Sequence, residues 1–175
     1  MKLNLEALKD NSFWQNKGYE LPNFDIESIR ESTLKAPIWL HFGAGNIFRA
    51  FPAVLQQELI NCGLSDKGII VCESFDEEII HKAYRPHDNL SIVVTLKADG
   101  TMAKKIVGSI VHSITAMDNM EELERIFTSP SLQIVSFTIT EKGYSLVDPS
   151  GSYQKDVNDD FYTTYRKPKT LMGII

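Results

Sequence analysis

The chain has 175 residues, of which 43% are hydrophobic and 23% are charged, and its formal net charge is −5. This length and composition suit one ordinary domain with a packed core. The acidic balance argues against a nucleic-acid-binding surface, which requires clustered lysines and arginines. The one basic cluster, residues 166–169, is interpreted as a solvated loop.

Neither a membrane segment nor a disulfide framework is indicated by the sequence. No apolar run approaches the ~18 residues of a membrane helix, and the N-terminus lacks the apolar core of a signal peptide. Cys62 and Cys72 are the two cysteines, and they are expected to be buried free thiols in a reducing compartment. The four histidines show no ligand spacing, so a metal site is not expected. A cytoplasmic protein is the resulting expectation.

Residues 1–36 are polar and mixed, and we interpret them as an N-terminal arm that precedes a domain over residues 37–175. Asp25 is predicted to cap a short helix over residues 26–30. After Pro37, residues 38–42 form a short apolar run that predicts a buried strand.

A turn with two glycines, residues 43–45, follows that strand directly, and a helix is predicted after it. The helix is indicated by Phe48, Phe51, Val54, Leu55 and Leu59, and Gly63 is predicted to end it. A second buried strand is predicted at residues 68–73. A helix over residues 76–84, capped by Asp76 or Ser74, and a loop over residues 85–89 follow it.

The pattern changes from residue 90 onward. Two runs rich in β-branched residues, 90–97 and 103–114, flank Asp99-Gly100 and predict a β-hairpin. A helix opened by Asp118 and a strand at residues 132–139 come next, and then a turn-rich segment at 145–160 and the start of a helix at 169–175. Strands joined through helices run parallel, so the predicted class is α/β: a Rossmann-type, doubly wound, mostly parallel sheet with an inserted hairpin.

The glycine turn between a strand and a helix is the first chemical signal. Gly43 permits the tight turn, and Gly45 lets the backbone approach a pyrophosphate. The free N–H groups of Asn46 and Ile47 would face that anion with the helix dipole behind them. The alternative is a plain strand-to-helix turn without a ligand.

The residues after the turn depart from the common fingerprint. Phe48 stands where a third glycine or alanine is expected, and Ala50 is the candidate for the close helix–strand approach instead. Arg49 is either a phosphate ligand or an exposed helix residue. His41, in the first strand, is interpreted as a satisfied core histidine rather than a catalyst.

Glu73, at the end of the second strand, is the second signal. A carboxylate there accepts hydrogen bonds from adenosine ribose hydroxyls, and its charge repels the 2′-phosphate of NADP. Asp76, Glu77 and Glu78 add negative charge, so NAD is predicted over NADP. The alternative is a solvated acid at a strand end.

Three segments resemble the mannitol dehydrogenase family of long-chain polyol and sugar-acid dehydrogenases, which includes mannonate oxidoreductases (fructuronate reductases). Residues 40–50 resemble the family's GxGxFxRA turn, and residues 135–144 resemble its strand ending in TxTExGY. Residues 85–90 resemble its RPxDxL stretch. The order and separations agree over roughly residues 36–175. Phe51 stands where many members have histidine.

The resemblance implies NAD(H) or NADP(H) as the cofactor, and reversible hydride transfer between a secondary alcohol and a ketone. It also implies that Thr138, Thr140 and Glu141 line the nicotinamide end of the cleft, the alternative being a helix cap or turn. The residues expected to bind the cofactor, taken together, are Gly43, Ala44, Gly45, Asn46, Ile47, Phe48, Arg49, Glu73, Thr138, Thr140 and Glu141.

The family's catalytic lysine, with its asparagine and histidine on a helical second domain, has no counterpart in this sequence. The chain is therefore expected to supply the cofactor-binding domain and to stop before the catalytic domain. The expected substrates are small polyols or sugar acids, either mannonate/fructuronate or mannitol/fructose, with no nucleic-acid or membrane partner. A non-catalytic nucleotide-binding module is the alternative.

Overall fold

The computed structural model describes residues 2–162 and 167–175, and for Lys142 only the backbone. Arg166, in the predicted basic cluster, lies outside these residues. The strands are β1 (Tyr19–Glu20), β2 (Trp39–Phe42), β3 (Ile69–Glu73), β4 (Ser91–Leu96), β5 (Met102–Val107), β6 (Ile110–Thr115) and β7 (Ile134–Phe137). The α-helices are α1 (Leu5–Leu8), α2 (Asn11–Asn16), α3 (Ile26–Lys35), α4 (Asn46–Ala50), α5 (Pro52–Asn61), α6 (Met120–Phe127), α7 (Glu141–Tyr144), α8 (Lys155–Tyr162) and α9 (Leu171–Ile174).

A parallel sheet of four strands, in the order β6-β3-β2-β7, forms the centre of the described part of the chain. Successive residues of its inner strands alternate between two apolar clusters. Leu40 and Phe42 pack on one face, with residues of α6, and Ile69 and Val71 pack on the other, with Phe48 of α4. Apolar packing on both faces explains why these strands are apolar runs without a polar side. The Rossmann-type α/β class predicted from the sequence is confirmed.

The predicted hairpin is present, but its second arm is shorter than expected. β4 and β5 pair antiparallel, and β1 pairs parallel with β5, which gives a separate three-stranded sheet in the described residues. The run 103–114 was predicted as one strand; it is two strands separated by Gly108 and Ser109. The N–H of Gly108 donates to Gln57 Oε1, and the carbonyl of Ser109 accepts from Ile69, so the chain leaves the hairpin and joins the parallel sheet.

The N-terminal arm packs against the hairpin. Asp25 caps α3 as predicted, because its carboxylate accepts from the N–H groups of Glu27 and Ser28. An apolar cluster then buries residues of the arm against Leu90 and Ile106. The arm therefore contributes a strand and part of a core to the fold.

The prediction of a single helix after the glycine turn is wrong, because the chain forms two helices, α4 and α5, that meet at Phe51. Pro52 has no N–H and occupies the first position of α5, where the missing donor is tolerated. Phe51, Leu55 and Leu59 point outward, with 62%, 50% and 44% of their surface exposed, so their apolar spacing does not mark the buried face. Gly63, with φ +70°, ends α5 as predicted.

The segment between β3 and β4 also differs from the prediction. Residues 76–84 are not a regular capped α-helix, because the chain makes a π-helix at Ile80–Tyr84 with no side-chain cap. A 3₁₀ turn at Arg85–His87 follows, and Asp88 and Asn89 take left-handed conformations. The loop predicted at 85–89 is therefore ordered into turns.

Three smaller expectations require correction. The turn-rich segment 145–160 contains the beginning of α8, and α6 begins at Met120 rather than at Asp118. Cys62 is exposed at the end of α5, whereas Cys72 is buried as expected. Burial raises the pKa of the Cys72 thiol. Among the residues described, no helix is long and apolar enough to cross a membrane.

Candidate functional site

The glycine turn lies where the order of the parallel strands reverses, between β2 and β7. Gly43 has φ +103°, which L side chains rarely adopt, and its N–H donates to the carbonyl of Cys72 over 2.9 Å. A Cβ atom on Gly43 would lie 2.6 Å from the carbonyl oxygen of Thr138. The ends of β2, β3 and β7 therefore meet at this turn, the position at which open α/β sheets bind ligands.

Glu73 holds the turn with its carboxylate. Its side chain is largely buried, and Oε2 accepts from the N–H of Ala44 over 2.8 Å. Oε1 accepts from the N–H groups of Ser74 and Phe75 over 3.0 Å each. The carboxylate thus joins the glycine turn to the loop after β3. Its interaction with a ribose stays a prediction.

Tyr84 fixes the other polar group of Ala44. Its buried hydroxyl donates to the carbonyl of Ala44 over 2.8 Å, and burial raises the pKa of the phenol. Both backbone polar groups of Ala44 are therefore held by buried side chains from two other segments. A turn held in this way is preorganised, so a ligand need not order it on binding.

Gly45 leaves open space at the start of α4. Its backbone is extended, with φ −73°, and a Cβ atom there would meet nothing within 4 Å. No side chain caps α4, so the N–H groups of Asn46 and Ile47 are not satisfied by a cap. Ile47 exposes 70% of its surface. The open space leaves room for an anion beside the turn, and the binding of one there stays a prediction.

Arg49 is anchored on α4 rather than extended into solvent. It donates to Asn46 Oδ1 over 2.5 Å, and its guanidinium lies 5.6 Å from the centre of the Tyr84 ring. Its Nε is buried without a hydrogen-bond partner. A buried donor without an acceptor is costly, and because this N–H has no exposed surface among the described residues, a ligand would reach it only if the Arg49 side chain moved.

Two expectations about α4 are corrected. The side chain of Phe48 is fully buried and stacks on His41 with 4.1 Å between ring centres, so only its backbone is able to contact a ligand. Ala50 is exposed and therefore does not provide the close approach between helix and strand. Phe48 provides that contact through its ring.

His41 is a fully hydrogen-bonded buried histidine, as the sequence indicated. Its Nδ1 lies 2.7 Å from Ser136 Oγ, and its Nε2 lies 2.8 Å from Thr138 Oγ1. Trp39 Nε1 also donates to Ser136 Oγ, over 2.7 Å. Burial lowers the pKa of His41 to about 4, so the imidazole is neutral near pH 7.

The predicted residues after β7 occupy different positions. Thr138 is at the turn, where its Oγ1 donates to the carbonyl of Gly43 over 3.2 Å. Thr140 and Glu141 are exposed at the start of α7, beyond the end of β7. The carbonyl of Thr140 accepts from Gly143, so this segment forms a turn. The contact of Thr140 and Glu141 with a cofactor stays a prediction.

The sequence reasoning missed Tyr84, Trp39 and Ser136, which all support the turn. A signal for two of them was available, since Trp39 and His41 are two residues apart in a strand and therefore share a face. Ser136 is the register partner of His41 on β7, which places its side chain on that same face. Tyr84 carried no comparable signal.

The low pKa of His41 predicts an acid-sensitive fold. The unfolded imidazole titrates near pH 6.5, and the folded one near pH 4, so unfolding takes up a proton between these values. The contribution of His41 is complete above pH 6.5 and is lost as the pH falls toward 4, by about 3 kcal/mol. Urea unfolding at several pH values should show this loss. His41→Gln, which does not titrate, should reduce the dependence of the free energy of unfolding on pH. An unchanged dependence in this variant would contradict the prediction.

The family model of the mannitol dehydrogenase Rossmann domain matches residues 37–175. The chain is 43% identical to the D-mannonate oxidoreductase of Thermotoga maritima, over 99% of this chain and 33% of that protein. It is 33% identical to the mannitol 2-dehydrogenase of Aspergillus terreus, over 83% of this chain and 30% of that protein.

A solved structure of Pseudomonas fluorescens mannitol 2-dehydrogenase, a ternary complex with NAD and D-mannitol, superimposes with a TM-score of 0.76 and 25% identity. The alignment covers 99% of this chain and 34% of that one. The chain thus spans about a third of the length of each of these relatives. With the family match over residues 37–175, these similarities show that the chain belongs to the mannitol dehydrogenase family, whose Rossmann domain it contains.

Proposed function

We propose that this chain binds NAD(H) at the ends of β2, β3 and β7 and serves as the cofactor domain of an oxidoreductase. The enzyme would transfer a hydride between the nicotinamide and a polyol or sugar acid, either mannonate/fructuronate or mannitol/fructose. The names of the Thermotoga and Pseudomonas relatives support these substrate classes and NAD. Two free cysteines support a cytoplasmic location.

The observation that carries the proposal is the geometry of the glycine turn. Gly43 is left-handed and packed against Thr138, whereas Gly45 borders open space next to uncapped N–H groups. The guanidinium of Arg49 lies on the same short helix and donates to Asn46 Oδ1. Fixed donors with room beside them fit the diphosphate of a dinucleotide.

NAD, when bound, supplies the hydride acceptor, and the residues of this chain bind and orient it. Glu73 and Tyr84 hold the turn against which the diphosphate would lie. Thr138 borders the turn from β7, where it would contact the nicotinamide half. The proton-transfer group would come from residues outside these 175.

Calorimetric titration of the purified chain with NAD tests the proposal directly. We expect saturable binding with one site per chain, and AMP should compete for it because it carries the adenosine half. Absence of saturable binding at millimolar NAD would refute the cofactor assignment. Binding without any hydride transfer in the full-length protein would instead favour a non-catalytic nucleotide-binding module.

NAD is expected to bind at least about tenfold more tightly than NADP, because the fixed carboxylate of Glu73 repels an added 2′-phosphate. Glu73→Gln keeps an acceptor for the N–H of Ala44 and removes the negative charge. It should therefore reduce the difference between the affinities for NAD and NADP. The outward-facing pair Glu78–Lys82, at 2.5 Å, offers a control, since Glu78→Gln should change the preference little. Tighter binding of NADP by the unmodified chain would contradict the assignment.

The 175-residue chain is not expected to oxidise mannitol or mannonate, or to reduce fructuronate, at an enzymatic rate. Among the described residues at the turn, His41 has both ring nitrogens engaged, Glu73 accepts three N–H groups, and Tyr84 donates to Ala44. General acid–base help contributes roughly 10²–10⁴-fold to such reactions. An absorbance assay for NADH would measure the rate, and turnover near one per second would show that a catalytic group lies within this chain.

A further inference from the structure

A continuous chain of hydrogen bonds crosses the sheet beneath the glycine turn. It runs from Trp39 through Ser136, His41 and Thr138 to the carbonyl of Gly43, with successive distances of 2.7, 2.7, 2.8 and 3.2 Å. Trp39 and His41 belong to β2, Ser136 belongs to β7, and Thr138 follows the last residue of β7. We call this set the His41 relay.

The two ends of the relay determine its direction. The indole of Trp39 only donates, so Ser136 Oγ accepts there and has its own proton free for Nδ1 of His41. At the other end a carbonyl only accepts, so Thr138 donates to Gly43 and must accept from Nε2 of His41. A single protonation pattern satisfies every group, and in it His41 carries its proton on Nε2.

We propose that His41 is a positioning residue of the cofactor cleft, where its neutral Nε2–H form orients the Thr138 hydroxyl toward the carbonyl of Gly43. Two consequences follow. The turn is tied to β7 on the side where the strand order reverses. The half-buried Thr138 hydroxyl has its proton committed, so it offers a bound ligand only an acceptor. It would therefore contact an O–H or N–H donor of the dinucleotide, such as a ribose hydroxyl or the carboxamide. This inference rests on the proposed binding of NAD.

The surroundings of His41 support a role through hydrogen bonds rather than charge. Its ring stacks on Phe48 at an angle of 10°, and its polar contacts are two hydroxyl groups. A protonated ring would donate at both nitrogens and leave the Ser136 proton without its acceptor. The relay thus favours one neutral tautomer over both the other tautomer and the charged form.

The first test is nitrogen NMR of the imidazoles in the 175-residue chain at pH 7, without ligand. We expect His41 to be protonated at Nε2 and unprotonated at Nδ1. Protonation at Nδ1, or at both nitrogens, would overturn the relay. This measurement does not depend on NAD binding, so it tests the relay even if the proposed function fails.

The second test compares the NAD affinity of the unmodified chain with that of two His41 variants, whose thermal unfolding is measured in parallel. His41→Phe keeps the ring on Phe48 and removes both hydrogen bonds, and it should weaken NAD binding about five- to tenfold. His41→Gln places an amide donor near the position of Nε2 and should restore affinity to within about twofold. Equal affinity of the Phe variant and the unmodified chain, or equal impairment of both variants, would overturn the positioning role.

Thr138→Val removes the hydroxyl at nearly constant volume and should cause a loss similar to that of His41→Phe. Because both changes interrupt one relay, the double variant should bind NAD about as well as either single variant. If the fold-loss of NAD affinity in the double variant equals the product of the two single fold-losses, the two residues act independently. If the unmodified chain does not bind NAD, the proposed function fails, and the NMR result still decides the tautomer.

Discussion

Gly43→Ala is expected to destabilise the chain by about 3–5 kcal/mol, a large part of the roughly 5–15 kcal/mol by which an ordinary domain is stable. Two costs combine at this position. Alanine at φ +103° is strained, and its Cβ would lie 2.6 Å from the carbonyl oxygen of Thr138, a backbone atom that is unable to rotate away. Relief requires β2 and β7 to separate. Chemical denaturation followed by circular dichroism measures the change.

Gly45→Ala is the matched control for that experiment. It lies two residues away in the same turn, but its φ is −73° and a Cβ atom would meet nothing within 4 Å. Its free energy of unfolding should change by less than about 1 kcal/mol. A Gly43→Ala chain as stable as the control would mean that the turn is not packed against β7 as described.

The parallel sheet was predictable because its strands are short apolar runs with clear boundaries. Pro37 and Gly43 delimit the first strand, and Gly68 precedes the second. Burial on both faces leaves no polar alternation, and such runs followed by helical segments indicate parallel strands. The glycine turn was predictable for the same reason, since its context was a strand and a helix.

The helix after the turn was predicted wrongly because apolar spacing was weighed without Pro52. The spacing of Phe51, Leu55 and Leu59 is helical, yet these residues face away from the core of the described chain. Periodicity reveals one face of a helix, and it does not state which face is buried. Proline at the beginning of α5 was the better signal of the boundary.

The sequence indicates candidate residues for the site, but it does not indicate the contacts that these residues make. Glu73 was placed at the end of its strand, but its bond to the N–H of Ala44 depends on how two loops meet in space. The contact between His41 and Ser136 depends on the register of β2 and β7, whose paired residues are 95 positions apart in sequence. A single sequence does not define a register over such a separation.

Gly45→Val is expected to weaken NAD binding at least about 100-fold while leaving the fold intact. The branched side chain would fill the open space beside the turn, which the diphosphate needs in order to reach the N–H groups of Asn46 and Ile47. Hydrogen bonds to a charged group are each worth about 1.5–3 kcal/mol, so the loss of two accounts for this factor. Titration of the variant with NAD gives the measurement.

The fold of the Gly45→Val variant should survive, because its backbone is already extended, with φ −73° and ψ −178°, a conformation that valine adopts readily. We expect its thermal midpoint to lie within about 2 °C of that of the unmodified chain. Ala50→Val, on the exposed side of the same helix, adds two carbon atoms away from the turn and should leave NAD affinity unchanged. If Gly45→Val binds NAD as tightly as Ala50→Val does, the dinucleotide does not lie against the glycine turn. The proposed NAD site would then have to lie at another part of the sheet edge. Only a dinucleotide that lies beside Gly45 makes the loss of NAD affinity depend on whether the side chain is added at position 45 or at position 50.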